Sequence, residues 1–248
     1  RNLRINTKSP KLSRSEEIYV RNVAPNTLSK TEKNRGWKFL FDGKNATAWR
    51  GTSDVDPFNK DGWIVKNGAL TIQPGGKGGQ IVTKKTYGAF ELDFDFNLAK
   101  GANSGVKYFV ADHAKPRASK PQYLGLEYQV LDDKVHPDGV KGVVGNRTTA
   151  SLYDLIPSYR NVNTRDVPLH IGKWNHGRIV SHLNGTIEHW LNGFKVVEYQ
   201  RGTNIYDALI ARSKYAEIEI FGLSEKGHIL LQDHKDLVSY RSRKIREL

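Results

Sequence analysis

Alternation of apolar and polar residues along most of the chain predicts a protein built from β-strands. In the clearest case, residues 89–97, four apolar side chains alternate with three acidic ones, so the two kinds fall on opposite faces of a strand. The same period of two predicts further strands at residues 105–110, 124–131, 177–183, 186–191, 195–199, 216–221, 228–232 and 238–245. No long segment shows the period of a helix.

Short local signals add turns and one helix. Asn-Gly, the residue pair favoured in two-residue hairpin turns, occurs at positions 67–68, 184–185 and 192–193. Ser29 and Glu32 have the spacing of a capping box, which predicts a short helix over residues 29–35. Many short strands joined by such turns indicate an all-β sandwich of two antiparallel sheets, with this short helix near the N-terminus.

Composition narrows the class of protein. The 248 residues are 38% hydrophobic and 26% charged, which is typical of a globular chain. The absence of Cys excludes disulfides, thiolate metal sites and a Cys nucleophile. No apolar run approaches the roughly 18 residues that a membrane span needs. We therefore expect one sandwich domain over residues 28–248, preceded by a basic extension at residues 1–27.

The net charge of +13 raises the question of a nucleic-acid partner. Residues 1–35 hold nine Lys and Arg against three Glu, so nearly half of the net charge lies in one N-terminal stretch. The remaining charge is spread over the domain, without a basic helical stripe or a familiar nucleic-acid motif. We therefore interpret it as a solvated basic surface and expect no nucleic acid as partner.

The strand at residues 124–131 carries the first candidate site. Glu127 and Gln129 point the same way, about 7 Å apart, because their positions differ by two residues. On a concave face they would form a polar floor for a sugar, whereas on an outer face they would be ordinary solvated residues. The strand alone leaves both interpretations open. Lys107, one strand earlier, belongs to a residue type that is more often a surface side chain than a catalytic one.

Two other segments allow either chemistry or a structural explanation. Three aspartates and His136 crowd residues 132–138 and could bind a cation, although an Asp-rich turn is the commoner explanation. His189 falls on the strand face opposite Trp190, which could be a sugar platform or a core residue. The chain lacks a G-x-S-x-G elbow and an H-E-x-x-H motif, so neither of these catalytic sites is predicted.

Several separated motifs, in order, resemble the 3-keto-disaccharide hydrolase family over about residues 28–248. They are GWKFLFDGKNATAWRG, GWIVKNGALTI, GAFELDFDFNLAKGANSGVKYF, LGLEYQVLDD, ASLYDLI, HWLNG and GHILLQDHKDLVSYRSRKIREL. The resemblance implies a concanavalin A-like jelly-roll sandwich whose concave sheet carries the site. It also implies cleavage of glycosides oxidised at C3, and a secreted or periplasmic location, although no leader and no Met is present in the sequence.

The implied chemistry needs few groups. A ketone at C3 acidifies the hydrogen on C2, so one base and one stabiliser of an enolate oxygen suffice for elimination at C1. From their positions in the matching motifs, the candidate bases are Glu127, His136 and His189. The candidate enolate stabilisers are Lys107 and a divalent cation, whose ligands the resemblance leaves unassigned. The residues expected to orient hydroxyl groups are Asn103, Gln129, Tyr153 and His234.

Two alternatives remain beside a carbohydrate-active enzyme for 3-keto glycosides. One is a lectin-like module that binds carbohydrate without cleaving it. The other is a conventional glycosidase of the same fold, which would need two carboxylates facing each other across a cleft.

Overall fold

The protein is described by a computed structural model that covers residues 21–52, 60–113, 122–159 and 167–248. Within these ranges, thirteen strands form two antiparallel sheets that pack face to face. Together with the few helices, this confirms the predicted all-β sandwich of the concanavalin A-like jelly-roll type. Most of the predicted basic extension lies outside the described residues, so its boundary stays a prediction.

The larger sheet runs in the order β11-β10-β9-β6-β13-β4-β3, with β1 pairing with β13 as an additional branch. Its strands are β1 Lys38–Phe41, β3 Trp63–Lys66, β4 Ala69–Ile72, β6 Phe90–Leu98, β9 Asn175–Ser181, β10 Thr186–Leu191, β11 Phe194–Gln200 and β13 Val238–Glu247. The predicted hairpins are confirmed, because antiparallel pairing joins β3 to β4, β9 to β10 and β10 to β11. In the first, Asn67 and Gly68 have φ angles of 50° and 72°.

The smaller sheet runs in the order β2-β5-β12-β7-β8. Its strands are β2 Trp49–Gly51, β5 Ile81–Thr83, β7 Asn103–His113, β8 Gln122–Leu131 and β12 His228–Leu231. Aromatic side chains from the two sheets meet in the core between them, as where Phe94 of β6 packs edge-on against Tyr128 of β8 at 5.3 Å. The outer face of the smaller sheet is therefore the face that carries Glu127.

The acidic face of β6 turns away from this core and is neutralised by neighbouring strands. Glu91 lies 3.0 Å from Arg178 of β9 and 2.8 Å from Arg246 of β13. Asp95 lies 3.2 Å from Arg241. These carboxylates belong to ion pairs on the outer surface of the larger sheet, on the other side of the sandwich from Glu127.

The helices are short. The predicted N-terminal helix is confirmed as α1, Lys30–Asn34, and Ser29 and Glu32 make both hydrogen bonds of the capping box. The second helix, α2, spans Pro137–Lys141. The third, α3, spans Asn204–Ala211 and was not predicted, because two turns are too few for a helical period to stand out. No helix in the described ranges is long and apolar enough to cross a membrane.

The strand predicted at residues 216–221 is wrong. Apolar and acidic residues alternate there as in a strand, but the segment folds through consecutive turns. Tyr215 and Phe221 stack at 4.0 Å, which draws the two ends of the segment together. Ile220 has a φ angle of 48° and is 67% exposed, so the alternating apolar residues do not share one buried face.

Candidate active site

A buried ion pair lies at the centre of the outer face of the smaller sheet. Lys107 of β7 is the direct cross-strand partner of Glu127 of β8, and Lys107 Nζ lies 3.6 Å from Glu127 Oε2. The two side chains are 8% and 3% exposed. Their sequence neighbours Val106 and Leu126 belong to the core, so strand alternation turns Lys107 and Glu127 outward.

The distance within this pair matters for chemistry. Charge-assisted hydrogen bonds between an ammonium and a carboxylate are about 2.7–2.9 Å long. At 3.6 Å the charges of Lys107 and Glu127 offset each other without a close hydrogen bond. Both groups therefore keep bonding capacity for a substrate.

Gly105 creates the space that the carboxylate uses. It lies two residues before Lys107 on β7, opposite Gln129 of β8. A Cβ atom on Gly105 would lie 3.0 Å from Glu127 Cδ and closer still to Oε1. The contact with Oε1 is shorter than real Cβ atoms show, so a side chain at residue 105 would require Glu127 to shift.

The polar floor is defined here as Asn103, Gly105, Lys107, Glu127, Gln129 and Gln232, from β7, β8 and the residue after β12. Gln232 follows β12 directly, and its backbone N–H donates to the Gly105 carbonyl at 3.0 Å. Asn103 lies near the start of β7, and its backbone N–H donates to Asp236 Oδ2 at 2.9 Å. Among the described residues, neither Asn103 Oδ1 nor Gln232 Oε1 has a hydrogen-bond partner.

Within the polar floor, Gln129 also supports a loop through its backbone. It is buried, and its Oε1 accepts from the backbone N–H of Val130 at 3.1 Å. Its backbone carbonyl accepts from Ala150 N–H at 2.9 Å, and its N–H donates to the Ser151 carbonyl at 3.3 Å. Glu127 and Gln129 share the outward face as predicted, but Gln129 holds the segment that leads to Tyr153.

Tyr153 forms one wall of the site. Its backbone N–H donates to the Glu127 carbonyl at 3.0 Å, and its hydroxyl donates to Asp138 Oδ2 at 2.7 Å. Burial raises the pKa of the Tyr153 hydroxyl, and the hydrogen bond to Asp138 raises it further. Arg147 fixes this wall by contacting Asp138 at 3.0 Å and Asp154 at 2.7 Å. The tyrosine hydroxyl is therefore committed to a structural hydrogen bond.

The structure brings two of the predicted histidines to the site. His136 is half-buried, and its Nδ1 accepts from Asp138 N–H at 3.1 Å as the cap of α2. His234 is exposed, two residues beyond Gln232. Partial loss of hydration lowers the pKa of His234. The negative charge of Glu127 opposes this shift, and the positive charge of Lys107 adds to it. His234 is therefore a neutral imidazole at neutral pH.

The third predicted histidine lies elsewhere. His189 is fully buried between the sheets, where its Nδ1 donates to the Ala150 carbonyl at 3.0 Å. Its Nε2 accepts from the Tyr108 hydroxyl at 2.7 Å. Burial lowers the pKa of His189 from 6.5 to about 4. This core position argues against the prediction that His189 acts as a base on a substrate.

Lys214 was missed by the sequence analysis. It follows α3, in the segment where a strand was wrongly predicted nearby, and its Nζ lies 4.1 Å from the centre of the Tyr153 ring. No local pattern marks this residue, because turns and the stacking of Tyr215 on Phe221 carry it to the site. Gln232 lies in the last of the matching motifs, but its position opposite Gly105 depends on pairing between distant strands.

The Asp-rich segment after β8 is a turn. Asp132 Oδ2 accepts from Gly101 N–H at 2.8 Å, and Asp133 Oδ1 accepts from Thr149 N–H at 2.7 Å. Asp138 accepts hydrogen bonds from Tyr153 and Arg147. Across residues 21–52, 60–113, 122–159 and 167–248, no group of three His, Asp or Glu is placed to hold a metal ion. The aspartates of this segment are therefore engaged in hydrogen bonds, and the divalent cation stays a prediction.

A cavity of about 510 Å³ lies beside the segment that follows Tyr153. It separates residues 155–159 from α3 and is lined mainly by apolar groups, including Ile156, Tyr199 and Leu209. Among its described lining residues, Glu198 is the one that is acidic. The acid–base groups of the molecule's polar floor do not line this cavity.

Comparisons with known proteins place this sandwich among carbohydrate hydrolases. A family model described as the 3-keto-α-glucoside-1,2-lyase-like domain matches residues 36–246. The chain belongs to that family. It is 30% identical over 236 residues to a 3-keto-disaccharide hydrolase of Bacteroides thetaiotaomicron, covering 86% of this chain and 79% of the relative.

Two solved structures from Parabacteroides distasonis, each described as a candidate glycosyl hydrolase, share the fold. The first has a TM-score of 0.73 and 29% identity, and covers 91% of this chain and 100% of the other. The second has a TM-score of 0.62 and 27% identity, and covers 86% and 99%. The predicted family is therefore confirmed over most of the chain.

Proposed function

We propose that this protein cleaves glycosides of 3-keto sugars by elimination followed by addition of water. Glu127 acts as the base, and Lys107 stabilises the enolate. The observation that carries the proposal is the buried Lys107–Glu127 pair, with 3.6 Å between Nζ and Oε2. The relative from Bacteroides thetaiotaomicron, named a 3-keto-disaccharide hydrolase, supports this choice of substrate class.

The proposed reaction has two stages. Glu127 removes the proton from C2, and the electron pair of that bond forms the enolate of the C3 ketone. The enolate electrons then form a C1–C2 double bond as the ketone is restored, and the bond from C1 to the leaving oxygen breaks. Water adds at C1, and a proton returns to C2. The net change is hydrolysis of one glycosidic bond by one water.

Lys107 is well placed for the charge that develops. The enolate oxygen becomes negative where the neutral ketone oxygen was, so a fixed cation stabilises the transition state more than the substrate. Lys107 is nearly buried, and a low local dielectric strengthens that interaction. Since its Nζ makes no close hydrogen bond to Glu127, the ammonium is free to donate to the ketone oxygen.

The other predicted residues take different parts in this proposal. Asn103 belongs to the polar floor and His234 lies beside it. Both are assigned to orienting sugar hydroxyls. Tyr153 supports the wall through its hydroxyl bond to Asp138, and Gln129 supports it through its backbone bonds to Ala150 and Ser151. His136 caps α2 through Nδ1, so we assign it a structural part.

The carboxylates near Glu127 are each held by other protein groups, and this favours the keto-sugar route over a conventional glycosidase. Asp138 and Asp154 are both held by Arg147. Asp236 accepts from the backbone of Asn103. A glycosidase with two carboxylates needs a second acid that is free to protonate or attack, and these three are each engaged.

The test is an assay of a 3-keto disaccharide beside its unoxidised counterpart, in H₂O and in D₂O. We expect cleavage of the 3-keto substrate alone, with deuterium at C2 of the product in D₂O. Glu127→Gln and Lys107→Met should each lower kcat by about 10²-fold or more. Matched controls are Glu198→Gln and Lys195→Met, which remove an exposed ion pair on β11 and should leave activity unchanged.

Other outcomes decide between the alternatives. Cleavage of the unoxidised disaccharide without deuterium at C2 would identify a conventional glycosidase. Binding of either sugar without cleavage would identify a lectin-like module. Activity that is lost on chelation and restored by a divalent ion would add a cation to the mechanism.

A further inference from the structure

Lys214 lies at the rim of the polar floor and reaches the site from a different element than Lys107 does. Its backbone N–H donates to Asp154 Oδ2 at 3.1 Å, and its Nζ lies over the Tyr153 ring at 4.1 Å. Tyr153 in turn donates its backbone N–H to the Glu127 carbonyl at 3.0 Å. Tyr153 therefore connects Lys214 to Glu127, the proposed base.

The ammonium of Lys214 has an unusual setting for an exposed lysine. In the described part of the chain, no carboxylate forms an ion pair with its Nζ, whose close neighbours are the rings of Tyr153 and Tyr215. Although much of its side chain is exposed, neighbouring groups replace part of its hydration. This loss of hydration lowers the pKa of Lys214. Lys107 also lowers it, against the attraction of Glu127.

We infer that Lys214 is the general acid that protonates the leaving oxygen when the bond to C1 breaks. The inference rests on the proposed function, because it concerns the same elimination. Glu127 is itself occupied with the proton taken from C2, and Lys107 with the ketone oxygen. A third group is needed for an alcohol or a sugar to leave, since a free alkoxide is a poor leaving group.

The protons balance through one cycle. Glu127 gains the C2 proton, and Lys214 gives a proton from Nζ to the leaving oxygen and becomes a neutral amine. The neutral amine then takes a proton from the water that adds at C1, while Glu127 returns its proton to C2. Both residues end in their starting states, and one water is consumed.

The positions of the two groups suit an α-glycoside. In such a sugar with the glucose configuration, the hydrogen on C2 and the oxygen on C1 lie on opposite faces of the ring. Glu127 rises from the sheet, whereas Lys214 is supplied by a loop that passes over the Tyr153 wall. A sugar lying between them would meet the base and the acid from different sides.

The test compares leaving groups of different acidity on 3-keto glucosides. A p-nitrophenolate leaves without protonation, whereas a methoxide or a second sugar needs a proton. We expect Lys214→Met to lose about 10²-fold or more on the methyl glucoside and the disaccharide. On the p-nitrophenyl glucoside it should stay within about threefold of wild type.

Lys214→Arg separates proton donation from charge, because arginine keeps its charge but does not give up a proton in a protein. We expect it to follow Lys214→Met on all three substrates. Lys85→Met is the matched control, since Lys85 is an exposed lysine over a tyrosine ring, Tyr87, away from the polar floor. It should behave as wild type.

Equal losses on all substrates, or full rescue of the poor leaving groups by Lys214→Arg, would overturn the inference and leave the proposed function intact. A wild-type protein that cleaves none of the 3-keto glucosides, including the p-nitrophenyl one, would instead contradict the proposed function and the inference with it.

Discussion

Glu127 occupies the space that a side chain at residue 105 would need. A Cβ on Gly105 would lie 3.0 Å from Glu127 Cδ and 3.1 Å from Cγ, with Oε1 closer still. Glycine is unfavourable inside a strand, because it costs conformational entropy and packs nothing. At this position it leaves room for the carboxylate on which the proposed chemistry depends.

Gly105→Ala should therefore displace Glu127 without removing it. We expect kcat/KM on a 3-keto disaccharide to fall by about 10²-fold, because a shift of about 1 Å in a reacting group costs that much. Thermal unfolding should also show the clash. The destabilisation by Gly105→Ala should be smaller in a Glu127→Ala background, as expected for residues in contact. Equal destabilisation in both backgrounds would contradict this explanation.

His189 should make the fold sensitive to mild acid. Its pKa is about 4 in the folded protein against 6.5 for a free imidazole, so the unfolded chain binds the proton more readily. The contribution of His189 to the free energy of unfolding is then fully present above pH 6.5 and is lost as the pH falls toward 4. A difference of this size corresponds to about 3 kcal/mol in the free energy of unfolding.

The measurement for His189 is denaturant unfolding at several pH values between 7 and 4. His189→Gln should be less stable than wild type at pH 7 and should lose less stability across this range. Parallel pH profiles for the two proteins would show that His189 does not cause the loss.

The buried guanidinium of Arg243 should lower the free energy of unfolding of the protein. It is 1% exposed, and its three guanidinium nitrogens have no hydrogen-bond partner among the described residues. Burial lowers its pKa to about 9. Stacking on Trp49 at 4.4 Å is worth up to about 2 kcal/mol, less than the cost of burying an unpaired cation. We expect Arg243→Met to raise the free energy of unfolding by on the order of 1 kcal/mol.

Arg241 on the same strand is the matched control for Arg243. It stacks on Trp174 at 4.1 Å and also pairs with Asp95 at 3.2 Å. Arg241→Met should therefore destabilise the protein in the same denaturant titration. A loss of stability in Arg243→Met as large as in Arg241→Met would show that the buried guanidinium has partners that offset its burial.

The capping box of α1 should contribute measurably although the helix is short. Ser29→Ala removes the side chain that accepts from Glu32 N–H at 3.1 Å. We expect a cost of about 1 kcal/mol in the free energy of unfolding. Ser29→Asp keeps an acceptor and should restore most of it. If both variants lose the same stability, the cap is not the cause.

Much of this fold was predictable because its signals are local. An Asn-Gly pair fixes a hairpin turn wherever it lies between two strands. The capping box needs only Ser29 and Glu32, three positions apart, and no partner from a distant part of the chain. Alternation also placed Glu127 and Gln129 on one face correctly. It could not show that the side-chain oxygen of Gln129 would accept a hydrogen bond from Val130 N–H.

The failures arose where distant contacts decide the outcome. Residues 216–221 alternate like a strand, but the stacking of Tyr215 on Phe221 closes them into turns. That same segment carries Lys214 to Tyr153, so the missed residue and the wrong strand have one cause. His189 shares its strand with Trp190, and the pattern could not say which of the two faces meets the other sheet.

The strand order has a consequence for how the protein folds. β12 lies between β5 and β7 in one sheet, and β13 lies between β6 and β4 in the other. Both central places are thus filled by residues 228–247, late in the chain, and Ser104 meets Gln232 across 128 positions. During synthesis, the edges of β7 and β6 stay unpaired until those residues emerge, which favours slow folding and protection by chaperones.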